Sequence, residues 1–532
     1  MLFPTFEFFI FFVIIFFLYW YVFTRADDWK ILLIAASIVF YAFFSFRFAL
    51  IMIALAAVNW GVGLALKTLK NYRPRKAVLV VATALNILYL LYFKEAYTLL
   101  GFLNRSFPQL FGEDTFLKLL AVTSVVPLGV SYYVFKCCSY IFDVYLGKIS
   151  ARDSFFDVVL YVIFFPQIFS GPIVHAAYFF EHLQSALEAD KTDYYCIPFD
   201  RASLLILLGL AKKTIVATVL SILVTNPIFS APMTYNTLEL LFAGVTYSVV
   251  IYADFSGYSD MAIGIGMLLG FKTPANFNRP YTAQNVTDFW KRWHISFSSW
   301  LRDYVYFAFG GSRFGSARTL FSLFATMLIA GFWHGAKSTF LLWGALQGAA
   351  LCVERFFTLK KVPESSDDGA ASPECFIAKT ASEGEGQPLA ENVESANSGL
   401  TPLLENAEDG HHRSEMRLPQ SAKTKICRTI LTFLFVTFSW IFFRAENLHE
   451  AFLYFASLRN VTLPFKVINP LSILLVMAGI GFQFIPHVTC EKAFFVYAKI
   501  PLVLKALLLA VAFLALQLLT ASGIPDFIYF KF

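Results

Sequence analysis

Residues Leu320–Ala336 read LFSLFATMLIAGFWHGA, an apolar run that predicts a buried or membrane-spanning helix ending near His334. A histidine in such a helix is costly unless it meets a partner or a water-filled cavity, so His334 is a functional candidate. The unperturbed pKa of histidine, about 6.5, suits a group that accepts a proton near neutral pH. The small residues Gly331 and Gly335 should leave room for a substrate. A structural histidine bonded to a neighbouring carbonyl is the alternative.

Similar apolar runs recur along the chain. Of its 532 residues, 58% are hydrophobic and 15% are charged, too few polar residues to coat the surface in water. We therefore predict an integral, multi-pass, all-α membrane protein of about 11 to 13 segments, each needing roughly 20 mostly uncharged residues. The candidate segments are Met1–Phe23, Ile31–Phe46, Ala49–Leu66, Ala77–Phe93, Ser154–Ile168, Ala202–Val224, Leu238–Val250, Tyr252–Leu269, Leu320–Trp333, Phe340–Phe357, Ile426–Phe443, Leu471–Ile485 and Leu502–Leu519.

Basic residues cluster in one short loop between two apolar runs, which the positive-inside rule places in the cytoplasm. They are Lys67, Lys70, Arg73, Arg75 and Lys76. Counting back through three predicted spans puts the N-terminus outside the cytoplasm. The net charge of +6 is too small to favour nucleic acid as a partner. The 7 cysteines include no paired C-x-x-C spacing, so we expect free thiols and no metal site.

Residues 361–425 break the apolar pattern, because they are rich in Ser, Glu, Asp, Asn, Gly and Pro. Such a composition cannot offset the entropy of ordering, so we predict a disordered insert, which contains His411 and His412. The insert separates an N-terminal membrane block, residues 1–360, from C-terminal helices in residues 426–532 that complete the same domain. No internal repeat is visible in the sequence, which disfavours a transporter built from inverted repeats.

The stretch Asn276–Tyr306 reads NFNRPYTAQNVTDFWKRWHISFSSWLRDYVY, and its spacing predicts one continuous helix over Thr287–Tyr306. In that helix the aromatic residues form one stripe: Trp290, Trp293, Phe297, Trp300 and Tyr304. A neighbouring polar stripe consists of Thr287, Lys291, His294, Ser298 and Arg302. Two such faces suit a helix at the bilayer interface, and the cationic face could meet the phosphates of a donor such as coenzyme A. The alternative is a helix that only anchors the protein.

Two further stretches place polar groups inside apolar spans. Tyr252–Gly270, YADFSGYSDMAIGIGMLLG, carries Asp254 and Asp260, whose carboxylates could orient a histidine, bind a cation or bond to neighbouring helices. Phe164–Ile173, FFPQIFSGPI, combines Gln167 with helix-breaking prolines. Broken helices at membrane depth are tolerated where they line a cavity, so these stretches favour a protein with an internal chamber.

Taken in order, these stretches resemble the membrane-bound O-acyltransferase (MBOAT) family, and most nearly its bacterial branch that acetylates alginate and related cell-surface polysaccharides. The resemblance covers nearly the whole chain outside the insert. It is carried by FPTFEF (Phe3–Phe8), PLGVSYYVF (Pro127–Phe135), FFPQIFSGPI, YADFSGYSDMAIG, NFNRPY, DFWKRWHISFSSWLRDYVY, GGSR (Gly310–Arg313), GFWHGA and FIYFKF (Phe527–Phe532). The departures are the insert itself and Val174–His175, near which a basic arginine is expected.

The resemblance implies a ring of tilted helices around a central tunnel. It also implies that His334 is the catalytic base and that His294 lines the same site. Along the tunnel we place Trp333, Asp254 and Gln167. The expected donor is a cytosolic acyl thioester such as acetyl-CoA, a substrate rather than a permanently bound cofactor. The residues expected to hold it are Lys291, Arg292, Ser298 and Arg302.

The reaction implied by the resemblance moves an acetyl or similar short acyl group to a hydroxyl outside the membrane, for O-acetylation of a surface polysaccharide. An extracytoplasmic acetyltransferase or esterase-like partner would place the group on the glycan, and the chain would lie in the bacterial inner membrane. A lipid, a protein or teichoic acid stays open as the acceptor. Outside the family, a multispanning transporter or flippase would also explain the hydropathy.

Overall fold

The computed structural model describes residues 3–107, 126–169, 171–188, 197–360, 421–461 and 464–519, and within these ranges the chain is helical and contains no strand. The α-helices are α1 (Phe6–Phe17), α2 (Ala26–Thr68), α3 (Tyr72–Ser106), α4 (Val130–Tyr145), α5 (Phe155–Ile163), α6 (Ala176–Glu188), α7 (Phe199–Ala211), α8 (Asn226–Ser230), α9 (Thr237–Leu268), α10 (Val286–Arg292), α11 (Ile295–Leu301), α12 (Gly315–His334), α13 (Ser338–Lys360), α14 (Ala422–Arg444), α15 (Leu448–Ser457), α16 (Pro470–Gly481), α17 (His487–Ala498) and α18 (Leu502–Leu519). Wider π-helical segments follow α1, α7 and α11 directly, at Leu18–Val22, Lys212–Thr218 and Arg302–Tyr306, and another occupies Ser221–Thr225. Short 3-10 turns occupy Pro232–Thr234, Pro280–Thr282 and Phe482–Phe484.

Seven helices of the described ranges are long and apolar enough to cross a bilayer, or eight if the bent pair Pro470–Phe484 and His487–Ala498 counts as one span. This confirms the predicted all-α, multi-pass fold. The number differs from the predicted 11 to 13 segments for physical reasons. Leu238–Val250 and Tyr252–Leu269 form the single helix α9, and the predicted segment Ser154–Ile168 contains only the 9-residue helix α5. The other predicted pair, Ile31–Phe46 and Ala49–Leu66, corresponds to the two parts of α2, which is interrupted by non-helical backbone at Ser45.

Local sequence explains where several helices begin. Asn236 caps α9 in a reciprocal capping box with Glu239, so that side chains satisfy backbone donors at the start of the helix. Asn285, Asn447 and Asn469 cap α10, α15 and α16 in the same way, each accepting from a backbone N–H of the first turn. Asparagine before an apolar run therefore marks four helix starts within the described residues.

The basic loop between α2 and α3 defines one face of the protein. Arg75 donates to the carbonyl of Val144 near the end of α4 at 3.1 Å, and Lys67 pairs at 2.6 Å with Asp153 in the segment that follows. α3 leaves this face at its first residue, Tyr72. The rise from Tyr72 to Lys94 is about 33 Å at roughly 1.5 Å per residue, so Lys94 lies about a hydrocarbon thickness along the helix from the basic face.

The predicted insert and the C-terminal motif fall mostly outside the described ranges. Residues 361–420, with His411 and His412, and the FIYFKF motif lie outside them. The last residues of the predicted insert are described, and there α14 begins at Ala422, earlier than the predicted start at Ile426. Ser421 caps this helix by accepting from the backbone N–H of Thr424, which explains the earlier start.

Candidate active site

His334 is the last residue of α12 and is enclosed by aromatic rings. His334 is buried, with 4% of the residue exposed to solvent. The nearest ring centroids are those of Trp333 at 4.6 Å, Phe443 at 4.8 Å and Trp343 at 5.4 Å. Gly335 follows with φ 155° and ψ 159°, a conformation that side-chain-bearing residues rarely adopt. The chain therefore turns sharply after the histidine, and α13 packs back against α12.

Gly331 serves this packing, and the prediction that it leaves room for a substrate is wrong. A Cβ atom on Gly331 would lie 2.4 Å from the carbonyl oxygen of Phe340, and one on Gly344 would lie 2.6 Å from that of Met327. The two glycines thus let the backbones of α12 and α13 touch. This contact fixes the end of α12 on which His334 stands.

His294 lies at a break that the sequence pattern did not predict. The expected continuous helix over Thr287–Tyr306 is instead α10, then Trp293 in an extended conformation, then α11 and its π-helical extension. His294 itself has φ 45° and ψ 54°, in the left-handed region, and it begins α11. Such backbone in a non-glycine residue costs about 1–3 kcal/mol and persists only where the surroundings hold it. Because the helix is interrupted at this point, the polar stripe and the aromatic stripe predicted for Thr287–Tyr306 do not form.

Asn276 provides the contacts that hold the break. Its backbone carbonyl accepts from the N–H of Ile295 at 2.9 Å. Its side-chain Oδ1 accepts from the backbone N–H and the hydroxyl of Ser296 at 3.3 and 2.9 Å. Its Nδ2 donates to the hydroxyl of Ser259 on α9 at 3.1 Å, which fixes the orientation of the amide. Asn276 is 1% exposed, so these bonds form away from solvent.

The same oxygen sets the tautomer of His294. Nδ1 of the imidazole lies 3.1 Å from Oδ1 of Asn276. The bonds from Ser296 identify this atom as the amide oxygen, which can only accept, so Nδ1 is the donor and Nε2 of the neutral ring keeps its lone pair. Nε2 is buried and has no hydrogen-bond partner within the described part of the chain. Burial lowers the pKa of His294 to about 3, so the ring is neutral at pH 7 and its free nitrogen can accept a hydrogen bond.

The two histidines belong to one aromatic cluster. The centroid of the Phe297 ring lies 5.0 Å from that of His294 and 4.3 Å from that of Trp333, and Trp333 lies 4.6 Å from His334. The structure thus brings together two histidines that are 40 positions apart in the sequence, 294 and 334. Both were candidates from the sequence alone.

A cavity of about 80 Å³ opens beside His334. Within the described residues its lining includes His334 and Trp333 but not His294. This cavity is therefore not the expected single chamber around both histidines. The remaining wall is contributed by Lys94, Val126, Pro127, Leu128, Gly129, Val130, Ser131, Tyr132 and Phe169. The PLGVSYYVF motif therefore supplies most of the wall, which shows that this proline-containing stretch lines a chamber.

The motif can approach this closely because position 129 is glycine. Gly129 has φ 72°, and a Cβ atom there would lie 2.4 Å from the carbonyl oxygen of Ile168. Ile168 belongs to the FFPQIFSGPI motif, so the two proline-containing stretches meet backbone to backbone. Their contact places Phe169 of the second motif beside the first in the cavity wall.

Two charged residues of α3 hold the turn that contains His334, and the sequence analysis missed them. Lys94 donates to the backbone carbonyl of Trp333, and its ammonium lies 5.5 Å from the centroid of that residue's ring. Glu95 accepts from the backbone N–H of Ala336 at 3.0 Å. The signal was present, since α3 continues as an apolar helix beyond the adjacent charges, whereas the predicted segment ended at Phe93. Charges inside such a helix are functional candidates by default.

Asp254 and Gln167, expected along the tunnel, lie elsewhere in the core. Asp254 forms an ion pair with Lys213, both side chains being 4% exposed. Gln167 accepts from the ammonium of Lys136 at 2.8 Å and donates to Thr273 at 3.3 Å. Neither residue lines the cavity beside His334. Of the three expected tunnel residues, only Trp333 does so.

The four residues expected to hold a donor are divided by the break at His294. Lys291 is exposed on α10, and Arg292 pairs with Asp288 at 2.8 Å. On the other side of the break, the hydroxyl of Ser298 donates to the carbonyl of Trp293, and the exposed Arg302 pairs with Asp303 at 2.8 Å. The predicted single cationic face is therefore wrong.

The aromatic residues of this region are buried rather than placed at an interface. Trp293 is 2% exposed, Phe297 1% and Trp300 6%. Trp300 stacks on Phe135 of α4 at 4.2 Å and donates to its carbonyl, so it packs inside the protein. These rings form the internal wall around the two histidines, and the prediction of an interfacial aromatic face is wrong.

Two histidines enclosed with a cavity in the aromatic core of a multi-pass helical protein are the arrangement expected of a membrane enzyme with a buried reactive site. Comparison with known proteins makes this specific. The profile of the MBOAT, membrane-bound O-acyltransferase family, matches residues 111–359. The protein of Pseudomonas aeruginosa named "Probable alginate O-acetylase AlgI" is 31% identical over 425 residues, which cover 79% of this chain and 68% of that protein.

Two relatives differ in the acceptor that their names give. The peptidoglycan O-acetyltransferase of Helicobacter pylori is 28% identical over 79% of this chain and 72% of its own. The teichoic acid D-alanyltransferase of Bacillus subtilis is 30% identical over 43% of this chain and 59% of its own.

The chain belongs to the membrane-bound O-acyltransferase family. It is a multi-pass membrane O-acyltransferase, which excludes the transporter alternative.

Proposed function

We propose that this O-acyltransferase moves an acetyl or similar short acyl group from a cytosolic thioester, such as acetyl-CoA, to a hydroxyl outside the cytoplasm. The observation that carries the proposal is the cavity of about 80 Å³ that His334 and Trp333 line together. Such a volume has room for a group of a few heavy atoms, since a water molecule needs about 10–15 Å³ on this scale. A short acyl group meets that limit.

In the proposed mechanism His334 is the general base. The acceptor oxygen attacks the thioester carbonyl carbon while His334 takes the proton of the hydroxyl. The carbonyl electron pair moves to oxygen, and when it returns the carbon–sulfur bond breaks. The thiolate then takes the proton from His334, which restores the neutral imidazole. His294, held by Asn276 with its Nε2 lone pair available, assists from the same aromatic cluster.

The geometry of α3 supports a reaction between two faces. The basic loop that starts α3 is cytoplasmic by the positive-inside rule. Lys94 contacts Trp333 about 33 Å further along the same helix. His334 is therefore proposed to lie toward the extracytoplasmic side, where the acceptor arrives, while the donor enters from the basic face. Exposed Lys291 and Arg302, together with Arg292 and Ser298, remain the proposed contacts for the donor phosphates.

For the acceptor we propose a cell-surface polysaccharide, reached through an extracytoplasmic acetyltransferase or esterase-like partner. The support is the similarity to alginate O-acetylases, 31% identical in the case of the Pseudomonas aeruginosa protein. The proposed location is the bacterial inner membrane, since the relatives named above are bacterial. Peptidoglycan or teichoic acid would be the acceptor if this protein shared its substrate with the relatives named for those acceptors.

Two measurements test the proposal. The purified protein should release free coenzyme A from acetyl-CoA only when an acceptor is present, and the His334→Ala variant should not. Mass analysis of surface glycans from cells with and without the protein should then show acetyl groups that depend on it. Release of coenzyme A without any change in surface polysaccharide would exclude that acceptor. No acceptor-dependent release would exclude the donor.

A further inference from the structure

The wall of the cavity beside His334 contains a basic side chain that the mechanism has not used. Of the residues that line it within the described ranges, Lys94 is the only lysine or arginine. Its ammonium has three protons, and one is donated to the backbone carbonyl of Trp333. Two protons are left for other acceptors, and the cavity beside His334 is the space that they can reach.

A second donor stands beside it. The indole Nε1–H of Trp333 is buried and has no hydrogen-bond partner within the described part of the chain. Trp333 lines the same cavity and is 8% exposed. Buried donors without a partner are rare in folded proteins, so each one needs an explanation, and an acceptor that exists only during the reaction is one.

The reaction creates such an acceptor. When the hydroxyl attacks the thioester carbonyl, the carbonyl oxygen becomes an oxyanion while His334 becomes positively charged. A lysine ammonium close to the base opposes the charging of the imidazole. Its presence in the cavity therefore favours catalysis only if it also stabilises the negative oxygen that forms at the same moment.

We propose that Lys94, with the indole N–H of Trp333, forms the oxyanion site of this enzyme. The proposal rests on the acyl transfer proposed above. The carbonyl oxygen of the thioester points toward the Lys94 ammonium, which donates to the oxyanion in the tetrahedral intermediate and returns to a weaker contact when the carbon–sulfur bond breaks. Glu95, bonded to the backbone N–H of Ala336, is a positioning residue that keeps the same turn in place.

The competing explanation is purely structural, since a lysine can cap the last carbonyls of a helix without taking part in chemistry. The chain offers a matched control. Lys505 is also buried, and its ammonium donates at 2.9 Å to the carbonyl of Ala498, the last residue of α17, as well as to Asp200. Lys505 is not among the residues that line the cavity beside His334.

The test compares acceptor-dependent release of coenzyme A by wild-type protein, Lys94→Met, Lys94→Arg and Lys505→Met, with thermal unfolding measured on each. Loss of one oxyanion donor costs about 100- to 1000-fold in kcat. Lys94→Met should show that loss at an unchanged KM for the donor, and Lys94→Arg should recover most of it. Lys505→Met should unfold at a lower temperature and keep the kcat of the wild type.

Retention of kcat by Lys94→Met would overturn the inference. So would equal losses in the Met and Arg variants accompanied by a raised KM, because that pattern indicates a distorted turn. If Lys94→Met cannot be isolated in folded form, Trp333→Phe replaces it, since phenylalanine keeps the aromatic packing and removes only the N–H; a kcat like that of the wild type would then refute the Trp333 part. Absence of release by the wild type would refute the proposed donor, and this inference with it.

Discussion

Replacing Asn276 by alanine should release the break at His294. The substitution leaves two buried N–H donors, Nδ1–H of His294 and the backbone N–H of Ser296, without the oxygen that now accepts from them. Each unsatisfied donor costs roughly 1–3 kcal/mol, so the two together cost about 2–6 kcal/mol. The left-handed backbone at His294 stores about 1–3 kcal/mol more, and Asn276 is what holds it.

The chain can relieve this cost by joining α10 and α11 into the continuous helix that the spacing of the sequence favours. His294 would then leave the position in which its free nitrogen faces the aromatic cluster. We expect kcat to fall about 100-fold, equal to about 2.7 kcal/mol of transition-state stabilisation. The midpoint of thermal unfolding should fall as well, and both are measured on detergent-purified protein.

Ser259→Ala is the control for this prediction. It removes the acceptor of the Asn276 Nδ2 group and leaves all bonds to Oδ1 in place. The cost should be about 0.5–1.5 kcal/mol of stability with kcat close to that of the wild type. The reasoning is refuted if Asn276→Ala keeps its turnover, or if Ser259→Ala loses as much as Asn276→Ala does.

Four other outcomes are expected. His334→Ala should lose about 100- to 10000-fold in kcat while it still binds donor, as measured by single-turnover assay and equilibrium binding. Charge reversal in Lys291→Glu should raise the KM for acetyl-CoA more than it lowers kcat in steady-state kinetics. Replacement of residues 361–420 by a Gly/Ser linker, which leaves Ser421 and the first turn of α14 in place, should leave acyl transfer largely intact in the same assay. The pH dependence of stability should show the burial of neutral His294, because its folded pKa of about 3 lies below the unfolded value. Its contribution to the free energy of unfolding is complete above about pH 6.5 and is lost toward lower pH, by at most about 1.4 kcal/mol per pH unit. Thermal unfolding measured across this pH range checks the prediction.

Each of these has a comparison that can contradict it. Full turnover of His334→Ala would disprove the proposed base even though the family assignment would stand. An unchanged KM in Lys291→Glu would favour a purely structural α10. A stable, correctly inserted linker variant without activity would give the insert a role in the reaction. For the pH dependence, His294→Gln should give a flatter curve between pH 6.5 and 4.5 than the wild type, and identical curves would assign the acid sensitivity to other groups.

The sequence predicted the fold class and singled out His334 because both depend on local composition, whereas the place of His294 beside it was implied by the resemblance to one family. Apolar runs report membrane helices, and a histidine such as His334 in one of them is conspicuous against that background. The resemblance to one family then placed the motifs in a common order. None of this needed the distance between any two side chains.

The failures come from contacts that join distant parts of the chain. The helix over Thr287–Tyr306 obeys the helical period throughout, yet Asn276 ends it at His294 through a tertiary hydrogen bond. The carboxylate of Asp254 was predicted to face a tunnel, whereas it forms an ion pair with Lys213 on a π-helical segment. Periodicity describes which side of a helix a residue occupies, but it contains no information on which partner satisfies a buried polar group.

The contact between α3 and the turn after α12 also bears on how the enzyme is made. Lys94 and Trp333 are separated by 239 positions, and Glu95 and Ala336 by 241. At roughly 5–20 residues per second, the ribosome delivers the second partner on the order of 10–50 s after the first. During that interval α3 is already synthesised with Lys94 and Glu95, whereas His334 and the turn that these two residues contact are not. A translation product truncated before α12 lacks the proposed base His334, so we expect it to be unable to consume the proposed donor; α3 and the turn meet only when most of the protein has been synthesised.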